Sequence, residues 1–231
     1  MSLIAIPVLP GVNCELDSAY AVELAGGNAC LVHHEDKALP AETSGVYVPG
    51  GFSYGDYLRP GAIARFAPVM DAVAAAAAEG MPVLGVCNGF QVLCEAGLLP
   101  GALAKNIGAR FICRDVYVRV ETSGTPFSHR LHPGNVLRIP VNHGQGNFTA
   151  DEGTLDEIEA NNQVLVRYCD ARGEVDPGDP GTNPNGSLRS IAGVTNRAGN
   201  VAGMMPHPER AIEGILGSAD GRPIVESLVN A

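Results

Sequence analysis

Positive charge is scarce in this chain: 15 lysines and arginines face 25 aspartates and glutamates, a formal net charge of −10 over 231 residues. With no basic surplus to neutralise phosphates, nucleic acid is not an expected partner, and small substrates or another protein are favoured. Long apolar runs are missing too. None approaches the ~20 residues of a membrane span, and Met1 to Leu9 has neither a basic start nor enough length for a signal core. That segment is read as a buried strand, and no membrane partner is expected. The six cysteines, at 14, 30, 87, 94, 113 and 169, show no paired spacing and no C-x-x-C. A disulfide framework and a zinc site are both disfavoured, and the expected compartment is a reducing cytoplasm. No G-x-x-x-x-G-K-[ST] occurs, so ATP chemistry is not expected of this chain.

What is present suits one α/β domain over residues 1–231: 45% hydrophobic and 17% charged residues, enough to bury a sheet. Leu3 to Leu9, Ala29 to His33, Gly45 to Val48 and Val83 to Val86 read as strands. Cys14 to Ala25 and Ile63 to Glu79 read as helices, closed by Gly26-Gly27 and by Gly80-Met81-Pro82. This alternation implies a doubly wound, mostly parallel sheet. The second half reads as strands joined by turns, at Ile112 to Val120, Val136 to Val141, Val164 to Cys169, Ile191 to Thr195 and Asn200 to Met204, expected as antiparallel additions. Asp170 to Ser187 is a loop, and Ile212 to Val229 is helical with an interruption at Gly217 to Gly221.

The strand Val83 to Val86 runs into Cys87, flanked by Gly85 and Gly89 and followed by helix formers. A sharp strand-to-helix turn exposes its central residue, and small flanking residues let the backbone pass close. The first helical N–H groups favour a thiolate at that point. A lone cysteine ending a buried strand could instead be an inert small hydrophobe; the glycines and the helix tip the reading toward a nucleophile. The other five cysteines have no such turn and read as structural. A nucleophile needs a base with an orienting group. Met205-Pro206-His207-Pro208-Glu209 braces His207 between prolines, with Glu209 in reach, whereas histidines 33, 34, 129, 132 and 143 lack an equally placed acid. Oxyanion donors could come from Asn88 and from the turn Pro49-Gly50-Gly51-Phe52.

Gly85-Val86-Cys87-Asn88-Gly89-Phe90-Gln91, Pro49-Gly50-Gly51 and Pro206-His207-Pro208-Glu209 together resemble the class I (triad) glutamine amidotransferase family. Gly50 to Arg59, Gly61 to Phe66, Gly146-Asn147-Phe148 and Gly203 to Ala211 are similar to the glutaminase subunits of the multi-subunit phosphoribosylformylglycinamidine synthases of purine synthesis. The resemblance runs from Leu9 to Gly221. It implies a flavodoxin-like sheet with added antiparallel strands. It implies Cys87 as nucleophile, His207 as general base and acid, Glu209 as orienting carboxylate, and an oxyanion hole from Gly51, Phe52 and Asn88. Gly50, Gln91, His143 and Gly144 match the region that holds L-glutamine. The usual Ala-His-Gly-Glu is Asn142-His143-Gly144-Gln145 here. The resemblance further implies no metal or cofactor in this chain. Its partners would be a large synthetase subunit, which uses ATP and Mg2+ to aminate formylglycinamide ribonucleotide, and a small third subunit. The alternatives are an amidotransferase for another acceptor, a stand-alone cysteine hydrolase or redox sensor, and a catalytically dead regulatory subunit.

Overall fold

Short apolar runs separated by helices place their strands side by side, and a computed structural model, which describes residues 1–231, arranges them as follows. β1 (Leu3–Val8), β2 (Asn28–His33), β3 (Thr43–Val48) and β4 (Val83–Val86) are linked through α1 (Glu15–Leu24) and α2 (Pro68–Ala78), and α3 (Asn88–Glu95) follows β4. The short strand β5 (Ala102–Ala104) pairs antiparallel with β8 (Asn147–Thr149) outside the main sheet. The remainder is β6 (Ile112–Val120), β7 (Val136–His143), α4 (Glu152–Ala160), β9 (Val164–Cys169), β10 (Ile191–Thr195), β11 (Val201–Met204) and α5 (Arg222–Val229).

The nine-stranded sheet has the order β2-β1-β3-β4-β11-β10-β9-β6-β7. Pairing is parallel from β2 to β11 and antiparallel from β11 to β7, so that only β6 and β10 run against the rest. The parallel half leaves β1 in both directions, toward β2 and toward β3. Such a reversal of strand order opens a crevice beyond the carboxyl ends of the strands. Pro49 to Phe52 after β3, Cys87 after β4 and His207 after β11 all leave the sheet at that end. No helix is long and apolar enough to cross a membrane.

Several expectations are corrected. The Asn200 to Met204 strand is no antiparallel addition: β11 pairs parallel with β4, Gly203 beside Gly85. It reaches that slot through the β10–β11 hairpin, which a reading of strand–helix alternation does not anticipate. The Ile63 to Glu79 helix is split. Ala64–Phe66 forms a 3-10 turn, Ala67 is extended at ψ 137°, and α2 starts at Pro68, because a residue before proline is driven out of the helical region. In the last segment a 3-10 turn at Gly214–Leu216 precedes α5. α4 has no counterpart among the expected helices. Its cap is Asp151, whose Oδ1 accepts the Thr154 N–H at 3.0 Å, and Leu155 and Ile158 supply its buried stripe.

β3, β4, β11 and α3 meet with little room to spare. A Cβ on Gly89 would lie 2.0 Å from the Val48 carbonyl oxygen, and one on Gly203 2.1 Å from the Phe90 ring. Gly89→Ala is therefore expected to lower unfolding free energy by at least about 2 kcal/mol. Urea titration checks this; an unchanged midpoint contradicts it.

Candidate active site

At the end of β4 the chain turns into α3 through Cys87, whose backbone stands at φ 51°, ψ −106°. A non-glycine residue there is strained and persists only where its surroundings hold it. The Cys87 N–H donates to the Met204 carbonyl at 2.8 Å, pinning the turn to β11. A Cβ on Gly85 would collide with Leu93 and the Gly89 backbone, so both glycines are required for the turn to pass. Cys87 itself is largely buried, its Sγ 3.7 Å from the Asn142 carbonyl.

His207 follows β11 and is anchored by its N–H to the Pro140 carbonyl at 2.9 Å. Its Nδ1 lies 2.6 Å from Glu209 Oε1, and Glu209 Oε2 accepts from the Tyr47 hydroxyl at 2.8 Å. Both side chains are essentially inaccessible, and Nε2 is buried with no hydrogen-bond partner. A Cβ on Gly50 would sit 2.8 Å from His207 Cε1 and 3.4 Å from Cys87 Cβ. The two residues thus face each other across a position that only glycine leaves open.

Burial by itself would push the imidazole down. The Glu209 carboxylate, with help from Cys87 and Cys14, overcomes it and holds His207 well above the ordinary histidine range. For Glu209, burial acts upward, but the imidazolium and its hydrogen bond, with Tyr47, leave the carboxyl below its usual value. Both shifts favour the charged forms of the pair.

The N–H of Gly51 and that of Asn88 make no hydrogen bond within the chain, whereas the Phe52 N–H donates to the Gly11 carbonyl at 3.0 Å. Phe52 is thus corrected from oxyanion donor to wall residue. The reason is local: Val12 and Gly51 form an antiparallel bridge, which consumes the neighbouring N–H and leaves that of Gly51 free. Gly51, at φ 145°, allows this bridge because a Cβ would stand 2.5 Å from Val12 Cα.

Cys87 opens on a cleft walled by Gly51, Phe52, Asp56, Gln91, Phe111 and the turn Asn142 to Gln145. His143 and Gly144 fall in the wall as expected. Gly50 is not among the wall residues; it is a position at which His207 approaches the backbone closely. Gln91 is in the wall with both ends of its amide engaged. Its Oε1 accepts from Asn88 Nδ2 at 2.9 Å and its Nε2 donates to the Gln145 carbonyl at 2.5 Å. Asn106 clamps the same turn, donating to the His143 carbonyl at 2.8 Å and accepting the Gly146 N–H at 2.9 Å. Burial, then the charge of His207, pushes His143 down to about 4, so it is neutral at physiological pH.

Sequence reasoning missed Tyr47, Asn106 and Phe111, which carry no motif of their own in strand, turn or loop, and gave no role to Asp56 although it lies in the Gly50 to Arg59 segment. It also set Cys14 aside as structural. Arg210 Nη2 donates to Cys14 Sγ at 3.1 Å, and the thiol, His207 and Glu209 lie with their polar atoms within 4.8 Å of one another. Of the three, His207 and Glu209 are joined by the 2.6 Å contact, and Cys14 is held beside them by Arg210.

Comparison with known proteins shows the chain's family. The CobB/CobQ-like glutamine amidotransferase domain matches residues 2–222. The chain is 55% identical over 226 residues to the phosphoribosylformylglycinamidine synthase subunit PurQ of Rhodopseudomonas palustris strain BisB18, covering 97% of this chain and 96% of that one. To the PurQ subunit of Moorella thermoacetica it is 52% identical over 224 residues, covering 96% and 93%. Among solved structures, a chain in the structure of PurLQS from Thermotoga maritima superposes with a TM-score of 0.85 at 40% identity, over 99% of this chain and 98% of that one. A putative GMP synthase protein from Thermoplasma acidophilum shares the fold, with a TM-score of 0.65 at 15% identity, over 100% of this chain and 94% of that one. The chain belongs to the CobB/CobQ-like glutamine amidotransferase family.

Proposed function

We propose that this chain is the glutaminase subunit of a phosphoribosylformylglycinamidine synthase, with Cys87 as nucleophile, His207 as proton carrier and Glu209 as its orienting carboxylate. The observation that carries the assignment of roles is the buried 2.6 Å His207–Glu209 pair facing Cys87 across Gly50, with the second ring nitrogen unpartnered. In this reading the Cys87 thiolate attacks the side-chain amide carbon of L-glutamine. The carbonyl oxygen becomes an oxyanion received by the N–H groups of Gly51 and Asn88. His207 gives its Nε2 proton to the departing nitrogen, which leaves as ammonia, and a glutamyl thioester remains on Cys87. Neutral His207 then takes a proton from water, the hydroxide displaces the thiolate, and glutamate is released. Glu209, held by Tyr47, keeps the ring in register and stabilises its charged form.

Ammonia released into water is protonated and diluted, so the reaction is useful where a partner consumes it at once. The likeness to a PurLQS chain supports assembly with a large synthetase and a small third subunit. We assign ATP and Mg2+ to the large synthetase, which would use them to activate formylglycinamide ribonucleotide, and place the complex in the cytoplasm.

Cys87→Ala is expected to leave less than about a hundredth of wild-type glutamine hydrolysis in the assembled complex while preserving the fold. Glu209→Gln should lose less, because it orients without transferring a proton; an equal loss contradicts this ordering. Both are read by glutamate release.

A second expectation concerns charge. The raised His207 and lowered Glu209 mean that the pair's stabilisation disappears at both extremes of pH. It fades as pH rises through the folded histidine value, and again as pH falls through the folded glutamate value. Nitrogen-detected NMR at pH 7 should therefore find His207 as imidazolium, and Glu209→Gln should move its titration down by more than about one pH unit. A neutral ring in the wild type at pH 7 contradicts the electrostatic account.

A further inference from the structure

We propose that Asp56 is the residue that recognises the α-ammonium group of the amino-acid substrate, making the cleft specific for an amide that carries a free amine at its far end. The inference rests on the glutaminase reading and extends it from the reacting amide to the other end of the molecule.

Asp56 lines the same cleft as Cys87 and supplies the sole carboxylate of its wall; that wall holds no lysine or arginine. Its Oδ1 is buried without a hydrogen-bond partner. Burial of a carboxylate oxygen is costly unless something satisfies it, and because Asp56 lines the cleft of Cys87 a cationic group entering there would do so. Burial raises Asp56 to about 6, with no neighbouring cation acting in the other direction. The nearest basic residue along the chain is spent elsewhere: Arg59 Nη2 donates to Glu95 Oε2 at 2.7 Å.

The backbone that carries the carboxylate is also tied down. Asp56 sits at φ 54°, between Tyr54 at φ 53° and Leu58 at φ 67°, three left-handed residues other than glycine in a span of five. The loop is tied down by the Ser53 N–H on Asn88 Oδ1 at 3.1 Å and the Tyr54 N–H on the Pro10 carbonyl at 2.6 Å. Asn88 is the residue after the nucleophile, so one residue supplies the oxyanion donor and anchors the loop bearing Asp56. Across the cleft, position 145 is glutamine, an uncharged amide. An ammonium entering this space therefore meets Asp56 as the single carboxylate of the wall.

The test compares L-glutamine with glutaramate, which has the same amide, chain and carboxylate but no amine, using the chain assembled with its partner subunits. The wild type is expected to prefer glutamine by at least about 100-fold in kcat/KM. Asp56→Asn should cut that ratio at least about 10-fold, chiefly through the KM for glutamine, while Asp56→Glu should retain more of it. Asp56→Ser serves in place of a variant that fails to fold. A wild-type ratio near one, or a ratio unchanged by loss of the carboxylate, overturns the inference. Absence of any glutamine hydrolysis by the wild type would instead overturn the glutaminase reading itself.

Discussion

The arrangement depends on a single backbone event, the turn at Cys87 that β4 makes on its way into α3. That turn demands an unfavourable φ, ψ pair, and three close approaches enforce it: Gly85 against Leu93 and Gly89, Gly89 against Val48, and Gly203 against Phe90. Each is a place where β3, β4, β11 and α3 come nearer than side chains would allow. Strain of the order of 1–3 kcal/mol at such a residue is sustained by the packing of its neighbours. The strands that bound the site therefore also hold the strained turn in place.

Electrostatics then follows from burial. Removing one partner of a buried ion pair is strongly destabilising because an uncompensated charge remains. Tyr47 answers this problem for Glu209 on one side and His207 on the other, leaving neither carboxylate oxygen unpartnered. The outer ring nitrogen has no such partner, and neither does Asp56 Oδ1. Asp56 and His143, whose Nε2 is likewise unpartnered, both line the cleft, and His207 stands beside Cys87.

Much of this is legible in the sequence, and for physical reasons. The Cys87 turn can be seen because only glycine tolerates such approaches, and His207 with Glu209 because two prolines bracket the histidine with a carboxylate two residues on. The parallel half of the sheet is readable from alternation of strand and helix. What the sequence hides depends on long-range pairing. β11 joins β4 from far along the chain, in register with Gly85, which no local pattern announces. The engagement of the Phe52 N–H depends on a bridge to a segment well upstream, and Tyr47 reaches Glu209 across 162 residues. Gly50 stands out in the sequence as a special position, and the structure shows a spatial reason for it, the close approach of His207. Cys14 carries no local signal of reactivity, and its closeness to the triad arises only when the β1 and β11 ends meet.

The most direct test of the account is covalent labelling with a diazoketone analogue of glutamine, followed by peptide mapping of the six cysteines. The account predicts a single adduct on Cys87, suppressed by L-glutamine. Modification of Cys14 in its place, or labelling that glutamine does not protect against, would contradict the assignment of Cys87 as the nucleophile in this cleft.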